Sequence, residues 1–241
     1  NDERAGCESL AIIMFNKAIK LAEEFNLIDV IKTPKDCLEK LNKKKHFIRK
    51  YKQHSAISTF SGELSKINEE VLLRDGAKGM STFMSYFILD SICQYGHYDK
   101  ALSIMKEYYG AMIKVGATTF WEDFDISWVD NCFDIFEMPI EGKKDIHGDY
   151  GAFCYKGFRH SFCHGWSSGV IPYLIEDVVG LKKVDEYKEQ YILEPHMSYL
   201  KKIECAYPTK YGLIKINLSY DKDGTLIKKV DAPKEIEIIS K

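Results

Sequence analysis

Apolar residues recur at three- and four-residue steps from Tyr98 to Val115. Ala101, Leu102, Ile104, Met105, Tyr108, Tyr109, Met112 and Ile113 share one side of a helix that Gly116 stops. The same periodicity predicts a helix over Glu8–Phe25, with Leu10, Ala11, Met14, Phe15, Ala18, Ile19, Leu21 and Ala22 as its buried face. A second helix is expected from Thr33 as N-cap and Pro34 at the first helical position to about Lys52, packed on the first as a hairpin. His54–Lys66 is polar and Ser-rich and reads as irregular, and Ile67–Leu73 as a short helical or extended piece. After the breakers Asp75-Gly76 and Gly79, Ser81 is expected to cap a helix through Tyr95.

From Ile126 to Phe162 the periodicity dissolves into a long loop rich in Gly and aromatic residues, the pattern of a lid or wall over a pocket. Another helix is expected from near Ser167 to a stop at Gly180. Beyond it the period changes to two: Tyr211–Tyr220 alternates, Asp223-Gly224 turns into Thr225–Val230, and Glu235–Ile239 is a last strand. The expected fold is mainly α, a stack of αα-hairpins closing around an axis, followed by a small antiparallel β unit too short to complete a sandwich alone. The domain boundary is placed between 1–184 and 185–241.

Composition alters this little. The 241 residues are 45% hydrophobic and 13% aromatic, enough for one sizeable core. A net charge of −2 from 34 basic and 36 acidic residues recommends neither nucleic acid nor an acidic membrane as partner, and no apolar run approaches the about 20 residues of a bilayer span. The run Lys43-Lys44-Lys45, with Arg49, Lys50 and Lys52, is read as a solvated helix face. The chain opens at Asn1 without a signal peptide and enters a helix almost at once, as an excised piece would. Seven scattered cysteines read as buried free thiols.

Candidate chemistry gathers where the Tyr98–Val115 helix gives way to Gly116-Ala-Thr-Thr-Phe-Trp-Glu-Asp-Phe-Asp125. A carboxylate, Glu122, and an indole, Trp121, leave a helix end together, the pairing a carbohydrate site needs for proton transfer and for packing on sugar C–H faces. The plain alternative is a solvated loop acid beside a core tryptophan. His164, at a helix entrance, is either a hydrogen-bonding group for a sugar or for Glu122, or a satisfied structural histidine. His147, Cys154, His160, Cys163 and His164 fit no standard zinc spacing, so neither metal nor cofactor is expected.

Gly116-Ala-Thr-Thr-Phe-Trp-Glu122, together with Tyr155-Lys-Gly-Phe-Arg-His-Ser-Phe-Cys-His-Gly-Trp-Ser168, resembles the second half of the catalytic domain of bacterial α-L-rhamnosidases, inverting glycoside hydrolases built on an (α/α)6 barrel. Glu194-Pro-His through Tyr207–Ile216 resembles the start of the β-sandwich that follows that barrel. The resemblance implies that Glu122 is the general base that activates water, that His164 lies in the sugar pocket, and that Trp121 and Trp166 line or wall it. The family's general acid lies far upstream of such a motif, and Asp2, Glu3 and Glu8 do not resemble the segment that bears it. The chain therefore reads as half an enzyme, partnered by the upstream half of the same protein and by a rhamnose-containing oligosaccharide or glycoside. A non-catalytic carbohydrate-binding relative and an α/α-barrel glycosidase or lyase of other specificity are the alternatives. The substrate class favours a periplasmic or secreted setting, the scattered cysteines the cytoplasm.

Overall fold

The structure, a computed structural model, describes residues 2–43, 50–137, 140, 142, 145, 161–184 and 188–241. Helix α1 (Asp2–Glu24) packs on α2 (Lys32–Asn42) and on α3 (Lys52–Phe60). Helix α3 in turn meets α4 (Lys66–Leu73) and α5 (Ser85–Gln94), and α5 meets α6 (Tyr98–Lys114) and α7 (Val170–Tyr173), which runs on as a π-turn over Leu174–Val179. The result is two rows of helices: α1, α3, α5 and α7 side by side, with α2, α4 and α6 flanking them.

Several expectations are corrected here. The stretch read as irregular contains α3, whose Ser55, Ala56, Ile57, Ser58 and Thr59 are all buried. Small side chains let its neighbours approach closely, and some of its polar groups are answered: Thr59 Oγ1 donates to the Ser55 carbonyl at 2.9 Å and Ser91 Oγ on α5 donates to the Ala56 carbonyl at 3.2 Å. Packing thus overrides a weak intrinsic helix signal. In α1 the expected face is only partly inside: Ala22 is buried as expected, but Leu10 and Met14 are 53% and 56% exposed, and Ala5, Ser9 and Ile12, outside that face, are buried.

Helix α2 starts at Lys32 with Ile31 as its cap, so Thr33 lies inside the helix and Pro34 in its first turn, where a missing N–H costs nothing. Lys52, expected on a solvated basic face, opens α3 instead. Its buried ammonium donates to the carbonyls of Leu72 at 2.9 Å and Gly76 at 2.5 Å, closing the C-terminal end of α4. Burial pulls its pKa down to about 8 against the opposing pull of Asp75 and Glu107. Helix α5 begins at Ser85, not Ser81. None of the described cysteines is bridged, and only Cys93 among them is buried, so these thiols are mostly not interior. Among the described residues no helix is long and apolar enough to cross a membrane.

The β part holds two three-stranded sheets. Strands β3 (Lys202–Thr209), β4 (Gly212–Tyr220) and β5 (Leu226–Asp231) form the antiparallel meander expected from the period-two pattern, with Ile214, Ile216 and Leu218 fully buried. The other sheet is mixed: β2 (Gln190–Leu193) pairs antiparallel with β1 (Leu181–Lys183) and parallel with β6 (Glu237–Ser240), so the unit is not wholly antiparallel. Strand β1 joins this sheet from before position 185. Val179, Leu181, Tyr191, Leu193, Met197 and Ile236 share one small core with the buried face of β4. A larger core lies between α5, α6 and the segment that follows α6.

Candidate active site

The site is built where α6 ends. Gly116 adopts φ +93, and a Cβ there would fall 2.5 Å from Asp134 Oδ1, so the chain turns out of the helix at a position that strongly favours glycine. It continues outside helix and strand through residues 117–125, bending at 118, 119 and 122. Trp121 and Phe124 go inward and are buried, whereas Glu122 is half-buried.

This segment pairs with a second one 40 residues away in sequence. The Glu122 N–H donates to the Ser161 carbonyl at 2.8 Å and the His164 N–H to the Phe120 carbonyl at 2.7 Å, while Thr119 Oγ1 donates to the Phe162 carbonyl. The Ser161 N–H returns a bond to Glu122 Oε2 at 2.8 Å, which fixes the carboxylate in the paired backbone; Oε1 carries no hydrogen bond among the described residues. Two further donors hold the Glu122 peptide carbonyl, Trp166 Nε1 at 2.6 Å and Thr82 Oγ1 at 2.5 Å. Thr82 is buried in the turn that precedes α5, which explains why that helix starts late.

Glu122, His164 and Trp166 therefore meet. His164 Nδ1 accepts from the Trp166 N–H at 3.3 Å, so the neutral ring carries its proton on Nε2 and has that N–H to offer a ligand. The His164 and Trp166 rings lie 4.3 Å apart at 36°, and Trp166, 47% exposed, is flanked on its other side by the exposed Phe83 at 5.4 Å. The two indoles thus have opposite roles. Trp121, expected in the pocket wall, has no exposed surface, its ring packed on Phe124 at 5.9 Å and Phe162 at 5.1 Å, and this removes it from contact with a ligand.

Thr82, Phe83 and Ser161 were missed by sequence reasoning. Ser81-Thr82 carries the signature of a helix cap, and Ser161 acts through its backbone, which leaves no side-chain signal. The whole assembly is braced by Tyr109, whose hydroxyl lies 2.8 Å from Ser85 Oγ and 3.0 Å from the Ser167 carbonyl. Of the other acids near the motif, Asp125 is occupied as an N-cap, accepting from Ser127 N and Oγ at 2.8 and 2.6 Å. His147, Asp149, Cys154 and His160 and the loop aromatics Tyr150, Phe153, Tyr155 and Phe158 lie outside the described residues; of the expected lid over 126–162 the structure describes residues 126–137, 140, 142, 145, 161 and 162, which begin with a 3-10 helix over Ile126–Asn131. Among those described, no three His, Cys, Asp or Glu side chains gather as a metal site.

The carboxyl most displaced by its surroundings is elsewhere. Asp177, in the π-turn, has a fully buried side chain; burial and then Asp90 push its pKa up to about 6, against the ion pair that Lys182 of β1 makes at 2.7 Å. It belongs to the junction of helices and sheets.

No protein-family model matches this sequence, and no curated protein matches it in sequence. Solved structures match it in fold. The GH78 family rhamnosidase of Bacillus sp. GL1 superposes with a TM-score of 0.70 at 18% identity, over 95% of this chain and 25% of that one. The native α-L-rhamnosidase of Aspergillus terreus gives 0.68 at 13% identity, over 95% and 27%. The Streptomyces avermitilis α-L-rhamnosidase complexed with L-rhamnose gives 0.64 at 11% identity, over 96% and 22%. The fold is thus that of a portion of α-L-rhamnosidases, one of them fungal, and the chain spans about a quarter of their length.

Proposed function

We propose that the chain is the base-bearing portion of an inverting glycoside hydrolase of α-L-rhamnosidase type, acting on terminal α-L-rhamnosyl residues of oligosaccharides or glycosides. The observation that carries this reading is the convergence of Glu122, His164 and Trp166 on two segments paired backbone to backbone. In it Glu122 takes a proton from the attacking water, its carboxylate aimed by the Ser161 N–H. His164 donates through Nε2–H to a sugar hydroxyl, and Trp166 with Phe83 offers an aromatic wall for sugar C–H groups. The general acid that protonates the leaving oxygen is supplied by the upstream half of the protein, roughly 6.5–9.5 Å across the bound sugar from the base, as inversion requires. That half also completes a helical toroid with residues 1–184, and 185–241 form the β domain behind it.

In the complete protein Glu122→Gln keeps the Ser161 contact but accepts no proton. It is expected to lower rhamnoside turnover by about 10²–10⁴-fold or more while L-rhamnose binding changes little. Turnover equal to that of the unaltered protein would remove Glu122 from the mechanism. A second reading, a sugar-binding relative that does not cleave, is favoured by one feature: Oε2 already serves a structural bond to Ser161. Rhamnose binding without hydrolysis by the complete protein would select it.

A further inference from the structure

Among the described residues, cations from two separate stretches meet at the start of α3. Lys50 and Lys52, which end the basic run ahead of that helix, and Arg74 and Lys78, from the turn behind α4, line one open cavity of ≈ 170 Å³. Asp75 is the one carboxylate among its described lining residues. Glu107 also acts on Lys52, but its Oε2 is occupied by the Ala77 N–H at 3.0 Å. Lys52 is held by two carbonyls and, with a pKa of about 8, is still charged at neutral pH. Lys50 Nζ lies 5.0 Å from the centre of the Tyr51 ring. Arg74 and Lys78 are exposed, and among the described residues neither makes an ion pair. A concave surface lined by one sign of charge gathers ligands of the other.

The cavity lies at the same end of the helices as Glu122. Gln53, in the first turn of α3, donates through Nε2 to the carbonyl of Gly79 at 2.9 Å, and Gly79 lines the cavity. Three residues further on, Thr82 holds the Glu122 carbonyl, and three residues of chain span at most about 11 Å. Aromatic side chains mark the way between the two: Tyr51, Phe83 and Trp166 stand ahead of α3, α5 and α7, each about half exposed. We propose that this cavity is a subsite for an acidic sugar, in which Lys50, Arg74 and Lys78 receive the carboxylate of a uronic acid one or two residues behind the cleaved rhamnose. The proposal rests on the glycosidase reading and narrows its substrate class to acidic glycans. A carboxylate matches the planar fork of the arginine and answers the neighbouring ammonium groups, whereas a neutral sugar leaves them to water.

Three rhamnosyl trisaccharides test this on the complete protein, alike except that C6 of the two sugars behind the rhamnose is a hydroxymethyl group, a carboxylate or a sulfate ester. Binding is read by calorimetry on the Glu122→Gln protein, and hydrolysis on the unaltered one. The carboxylate form is expected to bind at least about tenfold more tightly than the neutral form at low salt, an advantage that shrinks toward about 0.5 M salt. Arg74→Gln combined with Lys78→Gln is expected to bring the ratio of the two affinities to about one, while Lys78→Arg retains it. A merely structural role for these side chains would lower both affinities together and leave the ratio unchanged. Equal binding of acidic and neutral forms, tighter binding of the sulfate than of the carboxylate, or a ratio untouched by the double substitution would overturn the proposal. The outcome separates from that of the functional reading: a carboxylate preference without hydrolysis of any of the three sinks the glycosidase and leaves the subsite standing, and hydrolysis of all three without preference does the reverse.

Discussion

Trp121 and Glu122 are neighbours in the chain that face opposite ways, and each needs the other. The bent segment after Gly116 carries the indole into the core between Phe124 and Phe162, while the half-buried Glu122 carboxylate accepts from the Ser161 N–H and the Glu122 carbonyl accepts from Trp166. Trp121 is thus a positioning residue whose loss acts through Glu122. Trp121→Ala leaves a large cavity and is expected to destabilise the fold by about 3–5 kcal/mol, read in denaturant unfolding. A change below about 1 kcal/mol would mean that the ring is not the anchor its burial indicates. Thr82 and Trp166 act on the same peptide from the other side, and two donors on one carbonyl leave it little freedom to rotate.

At the scale of elements, the join between helices and sheets is the tightest point. Gly180 ends the π-turn at φ +78, and a Cβ there would lie 1.9 Å from the Glu194 carbonyl oxygen and 2.2 Å from its carbon. Backbone stands on both sides, so nothing yields cheaply. Gly79 has the same φ of +78 with nothing within 4 Å, which makes it an internal control. Gly79→Ala is expected to cost about 1–2 kcal/mol for the left-handed backbone alone, and Gly180→Ala at least about 2 kcal/mol more as the strands separate from the helix end. Equal losses in thermal unfolding would show that the close approach carries no weight.

On the scale of the whole molecule, the helical and β parts are coupled electrostatically as well as sterically. Asp177 of the π-turn holds Lys182 of β1 at 2.7 Å, with Asp90 of α5 3.9 Å from the same ammonium and Glu176 adjacent in the chain. Because Asp177 has a folded pKa of about 6 against an ordinary 3.8, the folded state grips its proton more tightly than the unfolded chain does. The sign follows: this group favours folding most below pH about 4, and its contribution is lost as pH rises through about 6, by up to about 3 kcal/mol. Asp177→Asn removes the titration. Stabilities of the two proteins, measured by urea unfolding between pH 4 and 7.5, are expected to diverge across that window, with the unaltered protein losing ground as pH rises. Parallel profiles would show that Asp177 ionises in the fold as it does in water.

What the sequence alone determined is whatever repeats locally. The run of α6 to its glycine stop and the alternation of β4 were legible because a helix or a strand imprints its period on adjacent residues, and burial followed that period in β4 and over most of α6, Ile113 being 67% exposed. The motif residues Glu122, His164 and Trp166 stood out as candidates for a related reason: two short stretches each carry several polar and aromatic groups together. Tertiary structure decided which side of each element is inside. Helix α3 is buried although most of its residues are polar or small, and α1 turns Leu10, Met14 and Leu21 outward, because those faces depend on what packs against them and not on the chain's own period. It also decided the site. Glu122 meets His164 through backbone hydrogen bonds between segments about 40 residues apart, and Thr82 and the Ser161 amide enter it with groups almost every residue possesses, so only their placement in space marks them out.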